Sequence, residues 1–279
     1  MSESRAVYPG CVAYREPGSP RGRAAARGHH LSYTVRPMLT FADHVLVLLI
    51  VVGLPLRALH GIRALRAAPA AALPALRRKL WSRAIATQWL LTLAVLAVWL
   101  TAWRSLVTLG LVLRPSIGLA GVLVGLTTIV TLVGRQRGAL AADELLRARI
   151  RERLAPVERL MPRTAQEFPL FAALACTAGL CEEFLFRGYL LWYFAHRMPF
   201  ALACVMQAAV FGLCHAYQGP RGMLLTALAG AFFTAVLLVA GSIWPAMLIH
   251  ALMDLHAGDL ARHVFPPDPE PDPAGAGTD

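Results

Sequence analysis

"FPLFAALACTAGLCEEFLFRGYLLWYF", residues 168–194, is long and apolar enough to cross a membrane, yet it carries two adjacent glutamates and an arginine. A run of about 18 or more apolar residues reads as a spanning helix. An ionisable side chain at its centre costs about 3 kcal/mol unless it is partnered, so Glu182, Glu183 and Arg187 need a reason to be there. Comparable apolar runs lie near 41–59, 84–103, 116–134, 199–217, 222–240 and 243–258. The last is short for a span and is expected to sit tilted or behind its neighbours. The chain of 279 residues is 57% hydrophobic and 15% charged, with a mean hydropathy of +0.55. A soluble domain of this size would carry more charge, so these runs predict an all-α polytopic membrane helix bundle.

The net charge of +11 comes almost wholly from arginine, since Lys79 is the only lysine. On a soluble protein such an excess would point to nucleic acid; here it lies between spans, where it sets orientation, and no nucleic-acid partner is expected. Residues 57–83 carry seven basic residues and no acid, and residues 135–163 carry eight basic residues. Between the intervening spans the only charges are Arg104 and Arg114. This pattern predicts a multi-pass protein of the cell membrane with both basic loops in the cytoplasm, each holding helices that lie on the anionic lipid surface. Cys176, Cys181, Cys204 and Cys214 sit in apolar runs and Cys11 near the start. Their spacing fits no disulfide framework or metal pattern, and the four read as small buried apolar residues.

Residues 1–37 are polar, hold six arginines and lack the apolar stretch of a secretory signal. They are expected to be a disordered extension or an over-long start, with Met38 as a natural beginning. Residues 38–164 supply apolar helices and the basic loops. Residues 165–258 hold the chemistry, and the Pro- and acid-rich residues 259–279 form a tail expected to be disordered. The sequence shows no internal repeat.

Between 168 and 258 the only acids are Glu182, Glu183 and Asp254. Glu183 and Arg187 stand at i and i+4 on one helix face, where carboxylate and guanidinium can pair. Glu182 lies one position round the helix, off that pairing line; a poorly solvated carboxylate makes a competent general base. "FGLCH" places Phe211 and His215 at i and i+4, and "HALMD" places His250 and Asp254 likewise. Each histidine alone could be a satisfied interface residue, and the glutamates a neutralised cluster that holds helices together. Three polar pairs in one apolar stretch point instead to a wet cavity inside the membrane, built from Glu182, His215, His250 and Asp254.

"EEFLFR", "FGLCH" and "HALMD", in this order, resemble the three motifs of the CPBP family of intramembrane endopeptidases. That family includes the CAAX prenyl proteases and the bacteriocin-processing and immunity (Abi) proteins. The resemblance covers roughly residues 165–257, with "GLCEEFLFRGYL" and "GSIW" also family-like. It implies a bundle of about eight transmembrane helices around a conical polar cavity, where the apolar runs count seven, so the expected bundle has about 7–8. By the same resemblance, Glu182 and His215 activate a water for attack on a peptide carbonyl, and His250 and Asp254 stabilise the oxyanion. Glu183, Arg187 and Phe211 support the site. Asp254 departs from the family's more frequent asparagine, so it must be protonated, paired with His250 or otherwise employed to serve an oxyanion.

The expected function is thus hydrolysis of a membrane-associated or amphipathic protein or peptide, in contact with membrane lipid. A metal-free, glutamate-type site is favoured because no HExxH occurs, with zinc on Glu182, His215, His250 and Asp254 as the alternative. Two other readings are a non-catalytic immunity or scaffold protein and a proton-coupled transporter, since intramembrane acids and histidines also relay protons.

Overall fold

The computed structural model describes residues 39–113, 115–140 and 143–268, which contain helices and turns and no strand. Eight helices follow one another: α1 (Phe41–Ala67), α2 (Leu73–Thr101), α3 (Ile117–Leu140), α4 (Glu144–Leu154), α5 (Phe168–Ala195), α6 (Phe200–Cys214), α7 (Gly219–Ala240) and α8 (Trp244–Val264). The protein is an all-α membrane bundle. Helices α1, α2, α3 and α5, and α7 with its leading turn (Ala216–Ala240), are each long and apolar enough to cross a membrane. The 199–217 run yields only a 15-residue helix and a 3-10 turn, and α8 is not among the five. Leu90, Val205, Leu224 and Val239 are exposed on the outside, as a lipid-facing surface requires.

Local chemistry explains the helix starts. Thr40 and Asp43 form a capping box at α1, with the Thr40 N–H donating to the Asp43 carboxylate at 2.7 Å. Pro74, Pro169, Pro220 and Pro245 occupy the first turns of α2, α5, α7 and α8, where a missing N–H is harmless. Two helices contain a π-helical segment: Leu49–Gly53 in α1, just before Pro55, and Phe184–Leu190 in α5, directly after the glutamate pair. Such segments recur at functional sites.

Helix α5 is central, packed against α8 and α2, while α6 packs along α7. Two glycines permit close backbone approaches around the motif helices. A Cβ on Gly179 would lie 2.7 Å from the Met247 carbonyl oxygen and 2.8 Å from the Ala251 Cβ, and one on Gly212 would lie 2.6 Å from the Met223 carbonyl oxygen. Small residues let membrane helices touch backbone to backbone. Here they bring α5 beside α8 and α6 beside α7, so the three motif helices share one interior.

Buried ion pairs tie each end. At the start of α1, Asp43 accepts two hydrogen bonds from Arg104, at 2.6 and 2.8 Å, and one from the Tyr189 hydroxyl at 3.0 Å. Arg104 also lies 4.6 Å over the Trp192 ring. At the other end, the fully buried Arg77 of α2 donates to Glu167 at 2.7 Å and pairs with Asp268. Buried charges persist where partners are this close.

Several expectations change. The helices expected within residues 57–83 are continuations of the spans: the segment completes α1 and begins α2, joined through the short turn Ala70–Ala72. Helix continuation satisfies backbone groups that a loop would leave to solvent or headgroups. In 135–163, α4 packs Ile150 against Leu260, Ala261, Val264 and Phe265, so this helix rests on protein. The first residues of the expected tail are ordered by contacts: α8 runs through Val264 on that apolar contact, and Arg77 pairs with Asp268. Cys176 is exposed rather than buried, Cys204 and Cys214 are half-buried, and Cys181 is buried. Residues 1–37, Met38, Cys11, Arg114 and 269–279 lie outside the described residues, and with them the expectations placed there.

Candidate active site

Glu182, His215, His250 and Asp254 come from α5, the end of α6, and α8, and all four line one cavity of about 500 Å³. This volume falls within the range of small-molecule and peptide pockets. Phe211 lines it too, whereas Glu183 and Arg187 are completely buried behind it.

The expected Glu183–Arg187 pair is present, with Arg187 Nη1 donating to Glu183 Oε1 at 2.9 Å. The same Oε1 also accepts from His250 Nδ1 at 2.8 Å. One carboxylate therefore joins the first motif to the third. Arg187 lies 4.2 Å over the Phe211 ring and 5.2 Å from the Phe233 ring. Phe233 in turn stacks on His250, with centroids 4.9 Å apart and planes 14° from parallel. Phe211 faces both histidines, with ring centroids 5.0 Å from His215 and 6.0 Å from His250. Cation–aromatic and aromatic contacts of this kind hold the rings without leaving a cavity between them.

The hydrogen bonds set the chemistry of each imidazole. His215 Nδ1 lies 2.9 Å from the Phe211 carbonyl oxygen, which can only accept, so Nδ1 donates. In the neutral ring the lone pair is then on Nε2. His250 Nδ1 donates to the Glu183 carboxylate, which orients Nε2 toward Asp254. Asp254 Oδ2 is 3.7 Å from His250 Nε2, beyond hydrogen-bond distance, and its side chain is 43% exposed. Of the options open to Asp254, a direct hydrogen bond to His250 is not the geometry found: Glu183 is the carboxylate bonded to His250. Its hydrogen bond holds His250 back on the buried side, while Asp254 stays on the open side of the cavity.

Glu182 is half-buried and its Oε1 accepts from Gln88 Nε2 of α2 at 2.8 Å. Its Oε2 takes no protein hydrogen bond among the described residues and is the oxygen available to a water. Among these residues no three His, Cys, Asp or Glu side chains are grouped to hold a metal ion.

Sequence reasoning missed Gln88, Phe233, and Tyr217, whose ring lies 5.8 Å from His215. Gln88 left a faint signal as the single amide side chain in the apolar run 84–103. Phe233 left none, because an aromatic residue in a spanning helix is unremarkable. The cavity also takes in Arg57, Ile62, Leu80 and Trp81 from one basic segment and Arg153, Leu154 and Met161 from the other. It therefore reaches the end of the bundle that carries the basic residues.

No curated protein and no solved structure matches the chain. Residues 164–256, the segment bearing all three motifs, match the family model described as type II CAAX prenyl endopeptidase Rce1-like, in keeping with the resemblance of those motifs.

Proposed function

We propose that the protein is an intramembrane endopeptidase that cleaves a membrane-associated or amphipathic peptide in the cavity between α5, α6 and α8. The observation that carries this reading is the meeting of Glu182, His215, His250 and Asp254 in a single cavity. Glu182 Oε2 and the His215 Nε2 lone pair are the free acceptors for a water, and a proton taken there leaves hydroxide to attack a peptide carbonyl. When protonated, His250 carries an Nε2–H to donate to the developing oxyanion, and Glu183 holds it in orientation and balances its charge. Asp254, if protonated, adds a second donor. The proton held by Glu182 or His215 then passes to the leaving amine. No step passes through a metal.

The cavity's reach to the basic segments sets its orientation. Those segments belong on the cytoplasmic side of a cell membrane, so substrate enters from the cytoplasmic face or from lipid beside it. Apolar walls including Leu80, Trp81, Leu154 and Phe171 suit an apolar or lipid-anchored segment.

Quantitative peptidomics of membranes holding wild type or Glu182→Gln tests the reading. New peptide termini should appear with wild type and vanish with the variant. Cleavage should persist after strong chelation in preparations whose metal content is measured. Identical peptidomes would favour the scaffold reading, and proton-coupled flux in proteoliposomes without cleavage the transporter. Activity lost to chelator and restored by zinc would replace metal-free chemistry with the zinc alternative.

A further inference from the structure

Gln88 lies on α2, outside the segment that matches the family, yet it reaches the proposed catalytic base. Its Nε2 is 2.8 Å from Glu182 Oε1, and both residues line the cavity. The amide orientation follows from charge: turned over, Gln88 would set its carbonyl oxygen against a carboxylate oxygen, two acceptors with no proton between them. As placed, Gln88 Oε1 is buried with no hydrogen-bond partner. A methionine would fill the same space among apolar neighbours without an orphaned acceptor. The amide is thus a poor choice for packing, and among the described residues its one polar contact is the bond it donates to Glu182.

We propose that Gln88 is the positioning residue for Glu182, an inference that rests on the peptidase reading above. Donation to Oε1 fixes the carboxylate rotamer and commits one oxygen, so Oε2 alone is presented to water. A second source of constraint is absent: Arg187 and His250 both bond Glu183, and Gln88 is the only residue among those described that hydrogen-bonds the Glu182 side chain. Helix α2 is itself anchored nearby, since Trp89 Nε1 donates to Thr177 Oγ1 of α5 at 3.2 Å. The donor is therefore held by two helices already packed together, as a preorganised site requires.

The test uses the full-length protein in detergent or proteoliposomes. Its probe is a peptide that wild-type membranes cleave and Glu182→Gln membranes spare, resynthesised with fluorophore and quencher. Gln88→Met keeps length and volume and removes the donor. It should lower kcat by about 10- to 100-fold, the scale of a misplaced catalytic group, with KM within about twofold and the melting temperature unchanged. Gln88→His, which restores an N–H of similar reach, should recover part of the loss. A Gln88→Met enzyme with wild-type kcat overturns the proposal, as does a loss of activity matched by lost thermal stability and not recovered in Gln88→His. If no peptide distinguishes wild type from Glu182→Gln, the peptidase reading falls and takes this inference with it. If such a peptide exists and Gln88→Met cleaves it normally, the positioning role alone fails.

Discussion

Replacing Glu183 by glutamine tests the charge linkage between the first and third motifs. Both donors to Glu183, Arg187 Nη1 at 2.9 Å and His250 Nδ1 at 2.8 Å, meet at Oε1. Oε2 is buried without a partner. A glutamine with its carbonyl in the Oε1 position keeps both hydrogen bonds and places its NH2 where no protein group is engaged. What disappears is the negative charge beside a guanidinium that is fully buried. Removing one member of a buried pair costs about 3–5 kcal/mol, and the retained hydrogen bonds place this change near the lower end, about 3 kcal/mol. At roughly 2–4 °C per kcal/mol for a chain of this size class, the melting temperature should fall by roughly 6–12 °C. Glu182→Gln gives the contrast: this half-buried group has one protein hydrogen bond, worth about 1 kcal/mol, so its melting point should stay within about 4 °C of wild type. The assay is thermal unfolding in detergent followed by tryptophan fluorescence, with peptide cleavage measured on the same samples. Adding Arg187→Met to Glu183→Gln should recover stability, because it removes the buried cation whose neighbouring carboxylate charge is gone. The reasoning is refuted if Glu182→Gln melts lower than Glu183→Gln, or if the Arg187→Met addition destabilises further.

Two further predictions concern the open side of the cavity and the orientation of the chain. Asp254→Asn should retain activity, since asparagine donates a hydrogen bond without needing a proton, while Asp254→Leu should lose about 100-fold or more, the scale of one oxyanion donor. An inactive Asp254→Asn with less bound metal than wild type would favour zinc instead. Reporters placed near residue 70 and within 144–163 should both read cytoplasmic; a report from the opposite side at either position would break the proposed orientation.

What the chain alone made legible was governed by local rules. Apolar length marked α1, α2, α3, α5 and α7 as spans, and helical spacing paired Glu183 with Arg187, as found at 2.9 Å. Short-range order on a helix follows from 3.6 residues per turn, so i,i+4 partners can be read directly. The same rule overreached at His250 and Asp254: helical spacing brings them near, but 3.7 Å is not a hydrogen bond, and Glu183, 67 residues away, is the group that bonds His250. Helix was expected within the basic segments, but composition did not show that in 57–83 it continues α1 and α2 past their apolar windows. Neither Gln88 beside Glu182 nor Phe233 on His250 follows from spacing; each contact depends on how separate helices pack. Sequence periodicity determines which side chains share a face of one helix. Which faces meet is decided by the packing of all of them together, and here close approaches at Gly179 and Gly212 turn three short motifs into one cavity.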